Sequence, residues 1–126
     1  MDKTTLKTIK RIGSLYGEIH QQLKLVEETA ELVSATMHLA RRDLSDAEVK
    51  EWRENYVEEL GDVIIVTTQL RHLLSKEEKK ALERSIKLKV VRECQRIARA
   101  MEREEAEKED AAADFDELRT IMEARS

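Results

Sequence analysis

Residues 52–73 read "WRENYVEELGDVIIVTTQLRHL", and the spacing of the apolar residues in this stretch decides the fold. Trp52, Tyr56, Glu59, Val63, Val66, Leu70 and Leu73 follow one another at alternating steps of four and three. That period marks one face of an α-helix turned toward a core. Every member of the stripe is apolar or aromatic except Glu59. The preceding segment has the same form: Leu25, Leu32, Ala35 and Leu39 recur at helical steps, and Glu28 fills the step between the two leucines. Each stripe thus places a carboxylate on its core side, where an unpaired charge is costly to bury. Glu31 and Asp62 stand three residues further on, on neighbouring parts of the same faces.

Outward from these stripes the chain punctuates itself with helix starts. Ser45 with Glu48, and Ser75 with Glu78, both have the S-x-x-E form of a capping box. The pattern predicts a short helix over residues 3–12, interrupted near Gly13 and Gly17, and a long helix from Glu18 to Arg42. A second long helix should run from Asp46 to Leu74 and a third from Lys76 to about Glu109, with a last short helix over 113–124. There is no proline in the 126 residues, only three glycines, and aromatics make up 3%. Sheet proteins need turn residues and branched or aromatic strands. The expectation is an all-α fold: an antiparallel bundle of three to five helices in one domain spanning 1–126. Its core is expected at about 18–100, followed by an acidic helical segment over 102–126.

An aliphatic core with few large rings is thin for this length, so completion of the bundle by oligomerisation is expected. Val26, Ala30, Val33 and Met37 form a second apolar side on the first long helix that a lone hairpin would leave partly bare. The net charge of −4 argues for neither nucleic acid nor an anionic membrane as a partner. Residues 102–117 hold nine acidic and two basic groups. A single cysteine, Cys94, excludes an intramolecular disulfide framework. No apolar run approaches the ~20 residues needed to cross a bilayer. The first residues, "MDKTTLKTIKRIG", lack the apolar core of a signal peptide. A soluble cytoplasmic protein is the expectation.

The turns bring the carboxylates together. Ser45 is midway between Glu31 and Glu59, so an antiparallel hairpin reversing there sets both roughly 20 Å from the bend at one height. By the same construction about residues 75 and 76, Lys89 returns to the level of Asp62, with Arg92 and Arg96 further along its face. Four carboxylates gathered in this way repel one another and call for a cation. An all-oxygen donor set suits Mg²⁺, with Mn²⁺ as a substitute, and nearby Lys and Arg suit a polyphosphate carried with the metal. Metal-assisted phosphoryl chemistry is the reading.

Other chemistries lack their residues. No glutamate has a histidine three residues later, as di-iron bundles require, and there is no Walker loop, EF-hand loop or zinc spacing. His20, His38 and His72 are scattered and read as structural or exposed. Cys94 has no triad context and reads as a packed or half-exposed thiol.

The runs "VEETAEL" (26–32) and "VEELGDVIIV" (57–66) together resemble the E-E-x-x-E … E-x-x-D signature of the MazG-like all-α nucleoside triphosphate pyrophosphohydrolases. The likeness covers roughly residues 18–100. "IKLKVVRECQRI" (86–97) resembles the basic helix that contacts phosphates in many relatives. The resemblance implies Glu28, Glu31, Glu59 and Asp62 as metal ligands, with Glu28, Glu59 and Lys89 central to catalysis. Lys89, Arg92, Arg96 and Lys24 become the phosphate-binding groups, and Glu27 and Glu58 are candidates to assist the attacking water. It further implies that Gly61 permits close helix approach, that a nucleoside triphosphate is cut to monophosphate and pyrophosphate, and that the chain forms a homodimer or homotetramer. The chain departs from the family in two ways: full-length MazG has two such modules, and the Tyr-His pair of the phosphoribosyl-ATP pyrophosphatases is missing from "DVIIVTTQ". Trp52 and Tyr56 are able to flank a nucleobase but lie on the core stripe. An all-α dUTPase- or dCTPase-like hydrolase and a non-enzymatic helical oligomerisation or adaptor protein are the alternative readings.

Overall fold

The computed structural model describes residues 1–125, which form four helices: α1 (Lys3–Tyr16), α2 (Glu18–Leu39), α3 (Asp46–Leu73) and α4 (Lys76–Ala124). No strand occurs among the described residues, and no helix there is long and apolar enough to cross a membrane. Two compact units divide the chain, Met1–Lys79 and the part from Lys80 onward. The first holds α1, α2 and α3; the second consists of α4 beyond its first turn.

Within the first unit α2 and α3 form the main helix pair, and α1 packs on both. The turn between them is set by the Ser45 capping box, in which the Ser45 hydroxyl accepts from the Glu48 amide and the Glu48 carboxylate accepts from the Ser45 amide at 2.8 Å. The cross-pairs that follow are centred on Ser45. His38 stacks on Trp52 with ring centroids 3.8 Å apart, Glu31 hydrogen-bonds Glu59, and Gln21 Nε2 donates to Gln69 Oε1. The hairpin is therefore antiparallel in the register counted from the turn. The two apolar stripes lie along the seam. Ala35 and Val66 are buried, and Leu25, Leu32, Leu39, Val63 and Leu70 are half-buried. His38 and His72 are half-buried, which agrees with a structural reading of His38 in its stack on Trp52.

Several boundaries differ from the sequence pattern. Gly13 does not interrupt α1. The helix runs through it and ends at Gly17, whose φ of 84° lies in the left-handed region open to glycine. α2 stops at Leu39 rather than Arg42, and Arg41 beyond it forms a two-pronged pair with Asp43. The third long helix does not stop near Glu109. It continues without a break through the predicted last helix, because residues 110–113 offer neither glycine nor proline and Ala111–Ala113 are strong helix formers.

The close-approach glycine is Gly13, not Gly61. A Cβ built on Gly13 would meet Gln69 Cβ at 2.7 Å, whereas one on Gly61 meets nothing within 4 Å. The absence of a side chain at Gly13 lets α1 lie against the buried Gln69, whose amide is tied to the equally buried Gln21. Gly13→Ala should accordingly destabilise the chain by about 1–3 kcal/mol through overpacking. Gly61→Ala, in an open helix interior, should stabilise it by about 0.5–1 kcal/mol. Thermal melting of both variants checks the assignment. A loss of stability in Gly61→Ala would mean that another copy packs against that spot.

Candidate metal centre

Two steps of the hairpin place the acidic residues. Glu28 sits on the buried stripe of α2 and Glu59 on that of α3, and the antiparallel register brings Asp62 level with Glu28. One carboxylate oxygen each from Glu28, Glu59 and Asp62 lies within 4.8 Å of the others. Glu28 is buried at 6% exposure, Glu59 is half-buried and Asp62 is exposed, so the group runs from the seam to the surface. Glu31, the fourth expected ligand, is exposed and falls outside this convergent set, but it hydrogen-bonds Glu59.

The electrostatics of the group are unbalanced. Glu59 is pushed above its ordinary carboxyl value, first by burial, then by the hydrogen bond that its protonated form donates to Glu31, and then by the negative charges of Glu31, Asp62 and Glu28. A hydrogen bond between two carboxyl groups requires that they hold a proton between them. Glu59 Oε2 is buried with no hydrogen-bond partner. On the opposite side, Lys24 Nζ lies 2.6 Å from Glu28 Oε1 and 3.1 Å from Glu27 Oε1. Those two contacts, Glu28 before Glu27, raise the lysine's affinity for its proton. Lys24 is thus the counter-ion of Glu28 and Glu27.

A buried oxygen with no partner, in a cluster of carboxylates drawn from two helices, is an arrangement that a hard divalent cation would complete. The donor set is all oxygen and fits Mg²⁺ or Mn²⁺ better than a thiolate- or imidazole-seeking metal.

Beside the carboxylates lies a cleft of about 460 Å³ between α1, α2 and α3. Glu28, Asp62 and Lys24 are among its polar lining residues, and Ile12, Tyr16 and Ile65 line it as well. Tyr16 and His20 stack at its edge with centroids 4.5 Å apart, and His20 Nδ1 lies 2.7 Å from Gln21 Oε1. The α1 contribution to this cleft and the Gln21–Gln69 pair did not come out of the sequence reading. One available signal was symmetry, since Gln21 and Gln69 are as evenly placed about Ser45 as Glu31 and Glu59. Trp52 and Tyr56 are not among the residues lining the cleft: the one stacks on His38 and the other lies under the Arg53 guanidinium, 5.3 Å from its ring centre.

Glu27 and Glu58 are exposed, as their places off the stripe require. Lys89, Arg92 and Arg96 belong to the second unit, exposed along α4, with Arg96 paired to Glu93 at 2.7 Å. No family model, curated protein or solved structure matches this chain.

The raised Glu59 gives a signed expectation. In the folded chain its proton is held above the ordinary value of 4.5, so ionisation there costs stability, which falls as pH rises. Without divalent metal, Glu59→Gln should melt close to the parent below pH 4.5. Its advantage should then grow as pH rises through the elevated range. Paired melting curves across pH check this, and a difference independent of pH would remove the Glu59 charge as its cause.

Proposed function

We propose that this chain hydrolyses nucleoside triphosphates to the monophosphate and pyrophosphate with the help of a divalent cation. The observation that carries the reading is the convergence of Glu28, Glu59 and Asp62 around an unpartnered carboxylate oxygen. The E-E-x-x-E and E-x-x-D runs, which resemble those of the MazG-like pyrophosphohydrolases, support the reaction class.

In this reading Glu28, Glu59 and Asp62 would hold Mg²⁺, and Glu31 stands beside Glu59 with its carboxylate free to accept a proton once Glu59 is ionised. Bound there, the ion supplies charge neutralisation for the phosphates and a lowered barrier to deprotonating water. The chain's own groups do the rest. Lys24 has to leave Glu28 when the carboxylate takes up a new partner, and the freed ammonium stands at the wall of the cleft, ready for a phosphate oxygen. Water attacks the α-phosphorus, the bond from that phosphorus to the pyrophosphate oxygen breaks, and Glu31, exposed at the margin, takes the water's proton. The cleft takes the nucleoside, with Ile12 and Ile65 as apolar walls and the Tyr16–His20 stack as a surface for a planar base. Lys89, Arg92 and Arg96 are assigned to the phosphates because "IKLKVVRECQRI" resembles the basic phosphate-contacting helix of that family.

Val26, Val33 and Met37 on α2 are exposed. Their cover by a second copy in a homodimer or homotetramer belongs to the same proposal.

A panel of ribo- and deoxynucleoside triphosphates with Mg²⁺ or with chelator, and chromatographic identification of products, tests the reaction. It also separates this reading from a dUTPase-like specialisation. Mg²⁺ should raise the melting temperature by binding only the folded chain. Glu59→Gln should lose both metal and turnover. Lys89→Ala should lower kcat/KM by roughly 30- to 1000-fold, the loss of one desolvated contact to developing charge, while metal affinity stays intact. Melting curves indifferent to metal, with no triphosphate hydrolysed, would leave the adaptor reading in its place.

A further inference from the structure

The acidic end of α4 lies outside the carboxylate site, yet its side chains are ordered by a rule. Val90, Cys94, Ile97 and Met101 follow at steps of four, three and four, and Ala111, Phe115, Leu118 and Met122 repeat the pattern, starting ten residues after Met101. All eight are exposed. The two steps that join the halves fall on Glu104 and Lys108, so one seven-residue repeat runs unbroken from Val90 to Met122. A strict repeat of this kind is the seam of a coiled coil, and its period imposes a left-handed supercoil on the pair. Lys89, Arg92 and Arg96 fall off the seam, on other faces of the helix.

We propose that α4 pairs antiparallel with α4 of a second copy of this chain, centred on Ala106. The two polar positions determine both the orientation and the register. About Ala106, Glu104 of each copy meets Lys108 of the other. The same centre sets Met101 against Ala111, Ile97 against Phe115, Cys94 against Leu118 and Val90 against Met122, each layer apolar. A shift by one repeat in either direction places Glu104 against Met101 or Phe115, and Lys108 against Ile97 or Ala111. A parallel pair opposes Glu104 to Glu104 and Lys108 to Lys108. One arrangement alone satisfies both charges, which is how a polar seam position selects a register at some cost in stability. Glu105 and Glu107 flank the centre and each faces its own copy, so the apolar layers at either end carry the association. The seam shares no residue with the α2 face or the carboxylate site.

The lone cysteine makes the test direct. In the proposed register Cys94 of one copy is far from Cys94 of the other and level with position 118. Mild oxidation of the full-length protein should leave the parent chain uncross-linked and convert Leu118→Cys largely to a covalent dimer. Adding Glu104→Lys to that variant sets lysines against lysines and should lower the cross-linking rate at least about tenfold. Adding Lys108→Glu as well should restore it, with helix content by circular dichroism unchanged throughout. Cross-linking of the parent through Cys94 would establish a parallel pair and overturn the proposal. So would a Leu118→Cys variant that stays monomeric on oxidation, or a rate indifferent to the charge changes.

Discussion

The pairing of α2 with α3 about Ser45 is the constraint on which the first unit depends. A reciprocal cap fixes where α3 begins, and two continuous apolar stripes then leave one antiparallel register in which both are covered. That register carries everything paired across the seam: the His38–Trp52 stack near the turn, the carboxylates further on, and the Gln21–Gln69 pair under α1. A slip by one helical step would turn Glu28 and Glu59 away from each other and expose the stripes together. Packing and site geometry are therefore the same fact seen from two sides.

The seam accepts an electrostatic penalty at its midpoint. Glu59 occupies a position where Leu or Val would pack without cost, and burial together with three neighbouring acids holds its proton on. Lys24 offsets the Glu28 side of the group and leaves the Glu59 side with a bare oxygen. Local rules violated at one spot, within an otherwise consistent helix pair, are where function is to be sought. The adjoining cleft adds a second reason, because charged and apolar side chains line one space between three helices.

The proposed seam on α4 draws on the same physics at the opposite sign of exposure. On α2 and α3 a polar residue in an apolar stripe is met by other residues of the same unit. On α4 the repeat lies in the open with its two polar members oppositely charged and one helical turn apart. Such a pair is neutralised when a second helix arrives reversed.

The sequence by itself determined the helices, their buried faces and the hairpin register. These follow from short-range causes: periodicity along one helix, a cap that involves four consecutive residues, and equal counting on either side of a turn. α4 runs past Glu109, where the pattern predicts an end, because nothing in residues 110–113 stops a helix. Only the tertiary structure decided that Gly13 rather than Gly61 admits a neighbour, and that Glu31 stands outside the convergent carboxylates while bonded to one of them. It also decided that Lys24 is committed to Glu28, and that α1 closes a cleft beside the acids. Each of these turns on where one side chain ends relative to residues distant in sequence. Rotamer choice and the seating of α1 set those positions, and no spacing along the chain encodes them.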